Sequence, residues 1–84
     1  MKVLVLGASG ATGKLVVHQL AKRDIQVRAV VRENAILPSQ IFDDKNVEIV
    51  KGNISEFEND KIKELLKDCD SVVCCLGHNI NFKG

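Results

Sequence analysis

The sequence predicts an α/β domain built on a doubly wound parallel sheet. Three observations predict it. Short apolar runs alternate along the chain with segments of helical period, the pattern of strands joined by helical crossovers. The first run, Val3 to Leu6, has no polar alternation, as expected of a strand covered on both faces. That run ends on three glycines spaced G-x-x-G-x-x-G (Gly7, Gly10 and Gly13), and a helical pattern starts from them.

The remaining elements follow in order. Thr12 to about Arg23 reads as a helix, with Val16, Val17, Leu20 and Ala21 on one stripe. Lys14, His18 and Lys22 recur every four residues on another face and are expected in solvent. Ile25 to Val31 reads as a second strand with Arg28 at its edge. Residues 33–46 are rich in caps and breakers (Asn34, Pro38, Ser39, Asp43, Asp44 and Asn46) and leave room only for a short helix between Pro38 and Phe42. Val47 to Val50 is a third strand, stopped by Gly52. Ile62, Leu65 and Leu66 mark an amphipathic helix running from near Glu56 to Lys67. Ser71 to Leu76 is a fourth strand, ended by Gly77. The crossovers are expected to be right-handed, and in the doubly wound arrangement the spatial order is 3-2-1-4. The expected architecture is a Rossmann-type sheet truncated to about four strands, one domain over residues 1–84.

Composition narrows the function classes. The 84 residues carry a formal net charge of +1, which gives no electrostatic case for nucleic acid or an acidic membrane. No apolar run approaches the ~20 residues of a membrane span. One lysine, a four-residue apolar run and then glycines do not make a secretory leader, so a cytoplasmic location is the expectation. Cys69, Cys74 and Cys75 are odd in number, without a C-x-x-C spacing, and read as reduced, mostly buried thiols. A metal site would need more ligands at better spacing.

The glycines carry the chemistry. A strand, a glycine turn and a helix start in that order are what a dinucleotide pyrophosphate needs: close backbone approach, free N–H groups and a positive helix end. Gly7 is expected to make the tight turn, Gly10 to clear the path of the pyrophosphate, and Gly13 to let the helix pack on the sheet. Ser9 and Thr12 place hydroxyls beside the phosphates, with Ala11 between them in the same turn.

The end of the second strand selects between cofactors. An acid there accepts hydrogen bonds from the ribose 2′-OH of NAD. Arg32 stands there instead, and a guanidinium suits the 2′-phosphate of NADP. Glu33 follows at once and keeps NAD open. Gly52-Asn53-Ile54 and Leu76-Gly77 follow strands three and four, at the carboxyl ends where open α/β sheets bind ligands. Asn53 has an amide suited to an adenine edge, and Gly77 allows backbone to lie against the ribose. His78 has no visible partner for catalysis, and no catalytic residue is assigned.

As a set, Gly7 to Gly13, Val27 to Arg32, Leu37-Pro38-Ser39, Val50 to Asn53 and Asp70 to Gly77 resemble the atypical short-chain dehydrogenase/reductases. The resemblance is to their NAD(P)H-binding, NmrA-like group, which includes flavin/biliverdin reductase B, and to its N-terminal part only. It implies that this half of the sheet binds the adenine dinucleotide. The group usually has Asp where this chain has Asn53, and its members continue well past a hundred further residues into a substrate pocket. The Tyr-x-x-x-Lys pair of many such enzymes is absent, since the chain has no Tyr.

Three functions stay open on these grounds. The chain is the NADP-binding part of an NADPH-dependent reductase, a non-catalytic dinucleotide-sensing or interaction module, or a truncated fragment. Strand four is apolar on both faces and unprotected at its edge, so a homo-oligomer through that edge, or a missing C-terminal half packed on it, is expected.

Overall fold

The computed structural model describes residues 1–53 and 56–75. Ile54, Leu76, Gly77 and His78, singled out above, lie outside the described residues. The elements run β1 (Lys2–Leu6), α1 (Ala11–Lys22), β2 (Gln26–Val31), α2 (Ser39–Phe42), β3 (Val47–Lys51), α3 (Asn59–Leu66) and β4 (Ser71–Cys74). The four strands form one parallel sheet in the order β3-β2-β1-β4, the order expected of the doubly wound arrangement.

Strand alternation divides the core into two layers. Val3, Val5, Val27, Ala29 and Val31 face α1 and pack with Ala8, Val17 and Phe42. Leu4 and Val30 face the other way and pack with Leu65 of α3. Gly13, Val17 and Ala21 are the buried residues of α1, at the spacing of one helical stripe, with Val16 and Leu20 half-buried beside them. The short α2 follows Pro38, whose ring fixes a backbone angle suited to a helix start.

Three local readings are corrected. Arg28 lies on an interior strand, half-buried between β3 and β1, not at an edge. Helix α3 starts at Asn59 rather than near Glu56. Glu58 is extended (φ −73°, ψ 163°), and Glu56 N–H is already turned back onto the Asn53 carbonyl at 2.8 Å. His18 and Lys14 are half-buried, whereas Lys22 on the same face is exposed.

The outer strands are the thinly covered ones. On β4, Val72 is 48% exposed on the α3 side of the sheet. Cys74 and Val72 share that side, while Val73 and Cys75 pack on the α1 layer. All three cysteines are free and half-buried. Burial and the neighbouring Cys74 push the Cys75 thiol above its ordinary value.

Candidate functional site

The site is built where β1 hands over to α1. Gly7 takes a left-handed conformation (φ 70°), which residues with a side chain rarely adopt. The Gly10 N–H donates to the Gly7 carbonyl at 3.2 Å and closes a tight turn. Ala8 N–H donates to the Val30 carbonyl at 3.0 Å, so the turn is tied to β2 as well. The first helical bond runs from Lys14 N–H to the Gly10 carbonyl at 2.9 Å.

The second and third glycines of the motif differ in what they permit. A Cβ on Gly13 would collide with the Gly7 carbonyl oxygen and lie 2.7 Å from Ala8 Cα, so α1 can approach the turn only with glycine there. A Cβ on Gly10 would sit 3.6 Å from the Gly7 oxygen, an ordinary contact. Internal packing therefore does not demand glycine at position 10; what it keeps clear is the outer side of the turn. Helix α1 has no side-chain cap and no acid in its first turn, so its own chain leaves the positive end uncompensated. This cradle fits a pyrophosphate.

Beside it an open cleft of about 630 Å³ lies over the carboxyl ends of the strands. It brings together three expected residues: Ser9 from the turn, Arg32 from the end of β2 and Asn53 from the end of β3. Ala35 N–H donates to the Arg32 carbonyl at 3.1 Å, folding Glu33 to Ile36 into one wall. Ala11 and Thr12 are exposed on the helix start, outside the cleft lining, and Gly13 is buried beneath it. Glu56 reaches the opposite rim through the turn at Asn53.

Lys14 also lines the cleft, which helical period alone did not indicate. The i, i+4 repeat with His18 and Lys22 groups it with a solvent face. Its place directly after the third glycine was the available signal, because that position sits within one turn of the loop. Among the described residues neither Lys14 nor Arg32 is within ion-pair distance of Glu33, Glu56 or any other acid; the one ion pair is Arg28 with Glu48.

Comparison with known proteins decides the family. The model of a family described as NAD(P)H-binding matches residues 7–83. The chain belongs to this NAD(P)H-binding family. An uncharacterized chloroplastic protein of Arabidopsis thaliana is 37% identical over 82 residues, covering 96% of this chain and 29% of its own length. Leucoanthocyanidin reductase of Vitis vinifera, solved as a binary complex with NADPH, superimposes with a TM-score of 0.71 at 30% identity, over 92% of this chain and 27% of that one. The oxidoreductase ylbE of Lactococcus lactis shares the fold at 23% identity and a TM-score of 0.69, over 93% of this chain and 33% of that one. Isoflavone reductase, at 24% identity and a TM-score of 0.67, covers 94% and 28%. The chain thus spans about a third or less of the relatives it matches. A nicotinamide dinucleotide is the cofactor of the family. No described helix is long and apolar enough to cross a membrane.

Proposed function

We propose that the chain is the NADP(H)-holding part of an NADPH-dependent reductase. The observation that carries this reading is the position of Arg32, which shares one cleft with Ser9 and Asn53 beside the glycine turn and has no acidic partner among the described residues. A planar arginine fork suits a dianionic 2′-phosphate. The leucoanthocyanidin reductase complex with NADPH, at 30% identity, supports the same cofactor.

In this reading the pyrophosphate lies along Gly7 to Gly10, against the first N–H groups of α1. Ser9 and Thr12 supply hydroxyl donors, and Ala11 presents only backbone there. Arg32 holds the 2′-phosphate, and Asn53 meets the adenine edge with its amide. The proposed set extends to Ile54, Leu76 and Gly77, which follow β3 and β4 in sequence. Gly13 acts one layer below, by letting α1 approach. When bound, the nicotinamide supplies hydride to an acceptor. Residues 1–84 act as one dinucleotide-binding domain, and the acceptor surface belongs to further polypeptide.

Calorimetric titration with NADPH and NADH tests the proposal. Wild type is expected to bind NADPH more tightly. Arg32→Ala weakens NADPH binding by ~1.5–3 kcal/mol, the range for a charged hydrogen bond, and leaves NADH nearly unchanged. Equal losses for both cofactors would reject the 2′-phosphate role.

A further inference from the structure

We infer that Lys14 is a second determinant of cofactor choice, pairing with Arg32 to hold the 2′-phosphate from the opposite side. The inference rests on the NADP(H) reading above and adds a residue to it. Three observations carry it. Lys14 and Arg32 come from different elements, the start of α1 and the end of β2, yet line the same cleft. Glu33 and Glu56 line that cleft too, but neither comes within ion-pair distance of a cation among the described residues. Lys14 is also misplaced by helix electrostatics. It sits near the positive end of α1, where a cation is disfavoured, and no acid in the first turn offsets it.

Two cations without an acidic partner among the described residues, and an uncompensated helix end, converge on one polar cleft. Such a charge arrangement is unfavourable empty and favourable around an anion. The pyrophosphate already has the turn and the helix N–H groups. A further phosphate is the natural occupant of the space between Lys14 and Arg32. The two side chains divide the task by chemistry. Arg32 offers a planar fork of fixed geometry, whereas Lys14 offers a compact ammonium on a flexible, half-buried stem. A 2′-hydroxyl would leave the ammonium without its anion, so Lys14 discriminates against NAD rather than binding every dinucleotide equally.

The test separates the 2′-phosphate from the rest of the cofactor. The 84-residue chain is titrated by calorimetry with adenosine 2′,5′-bisphosphate and with 5′-AMP, as wild type, Lys14→Met, Lys14→Arg and Arg32→Ala. Wild type is expected to prefer the bisphosphate. Lys14→Met should lose roughly tenfold on the bisphosphate and stay within about twofold on 5′-AMP. Lys14→Arg, which keeps the charge, should retain the preference. An equal loss on both probes places Lys14 at the 5′-phosphate and overturns the inference. So does an unchanged Lys14→Met or a loss common to the Met and Arg variants, and in those cases the Arg32 reading stands if Arg32→Ala still abolishes the preference. A wild type without preference overturns both.

Discussion

Nη1 of Arg28 donates a 2.7 Å hydrogen bond to the carbonyl oxygen of Leu65, joining an interior strand to the last turn of α3. The same nitrogen lies 3.3 Å from the Glu64 carbonyl and 3.2 Å from that of Lys67, while Nε donates to Glu48 at 3.1 Å. A cation thus sits at the negative end of α3 and adds a charged donor to its last carbonyls, where Glu64 also accepts from Lys67 N–H at 3.2 Å and Leu65 from Cys69 Sγ at 3.3 Å. Leu65 is the one buried residue of α3, packed with Leu4 and Val30, and this polar clamp ties the end of the same helix to β2.

Arg28→Met is expected to destabilise the fold by about 1.5–3 kcal/mol, because it removes a charge-assisted hydrogen bond from the part-buried Leu65 carbonyl. Glu48→Gln should cost at most ~1 kcal/mol, since Glu48 is 57% exposed and its ion pair is screened. Urea unfolding of the two variants measures the difference. Comparable losses would mean that the ion pair, not the helix clamp, holds the arginine's contribution.

The two later glycines of the motif should fail in different ways. Gly13→Ala drives a methyl into the backbone of the turn and is expected to cost about 2–3 kcal/mol of stability. Gly10→Ala has room for its methyl, and its backbone (φ −73°, ψ 170°) suits alanine, so the melting temperature should hold. NADPH affinity should nevertheless fall roughly tenfold or more as the methyl meets the pyrophosphate. Thermal melts with and without NADPH separate the two effects.

Val17 is fully buried between α1 and the sheet. Val17→Ala should lose about 1.5–3 kcal/mol through lost burial and the cavity left behind. Val72→Thr, on the exposed side of β4, should change stability by less than ~0.5 kcal/mol. Paired denaturation curves check both values.

Cys75 links stability to alkaline pH. Its folded-state value lies above the ordinary 9.0, so the native state holds the thiol proton more tightly than the unfolded chain does. That contribution is fully present below pH 9.0 and is lost as pH rises toward the folded value. The melting temperature of wild type should therefore fall above that pH, and Cys75→Ala should flatten part of the decline relative to Cys74→Ala. A slope unchanged in Cys75→Ala would contradict the sign.

What was legible in the sequence was local or topological. Gly7, Gly10 and Gly13 announce their turn because turn, close approach and helix start fall within seven residues. The order β3-β2-β1-β4 could be expected once alternation indicated a parallel sheet and the glycine turn indicated the doubly wound arrangement. Arg32, Ser9 and Asn53 could be placed together because each follows a parallel strand, and parallel strands end on one side. Lys14 was misread because helical period reports which face a residue takes but not what stands above the first turn. The role of Arg28 was invisible for a different reason: its acceptors lie 36 to 39 residues downstream, on a helix whose end no local signal ties to β2. The late start of α3 likewise depends on the turn at Asn53, which the spacing of Ile62 and Leu65 does not record.

The bond from Ala8 N–H to the Val30 carbonyl carries the sheet ladder one rung beyond the end of β1. The turn is therefore a rigid continuation of the central strand rather than a loop hung between two elements. Amide exchange at Ala8 should track global unfolding and not local fraying. A ligand settling on such a surface has little backbone motion to quench, so its affinity records contacts made rather than order imposed.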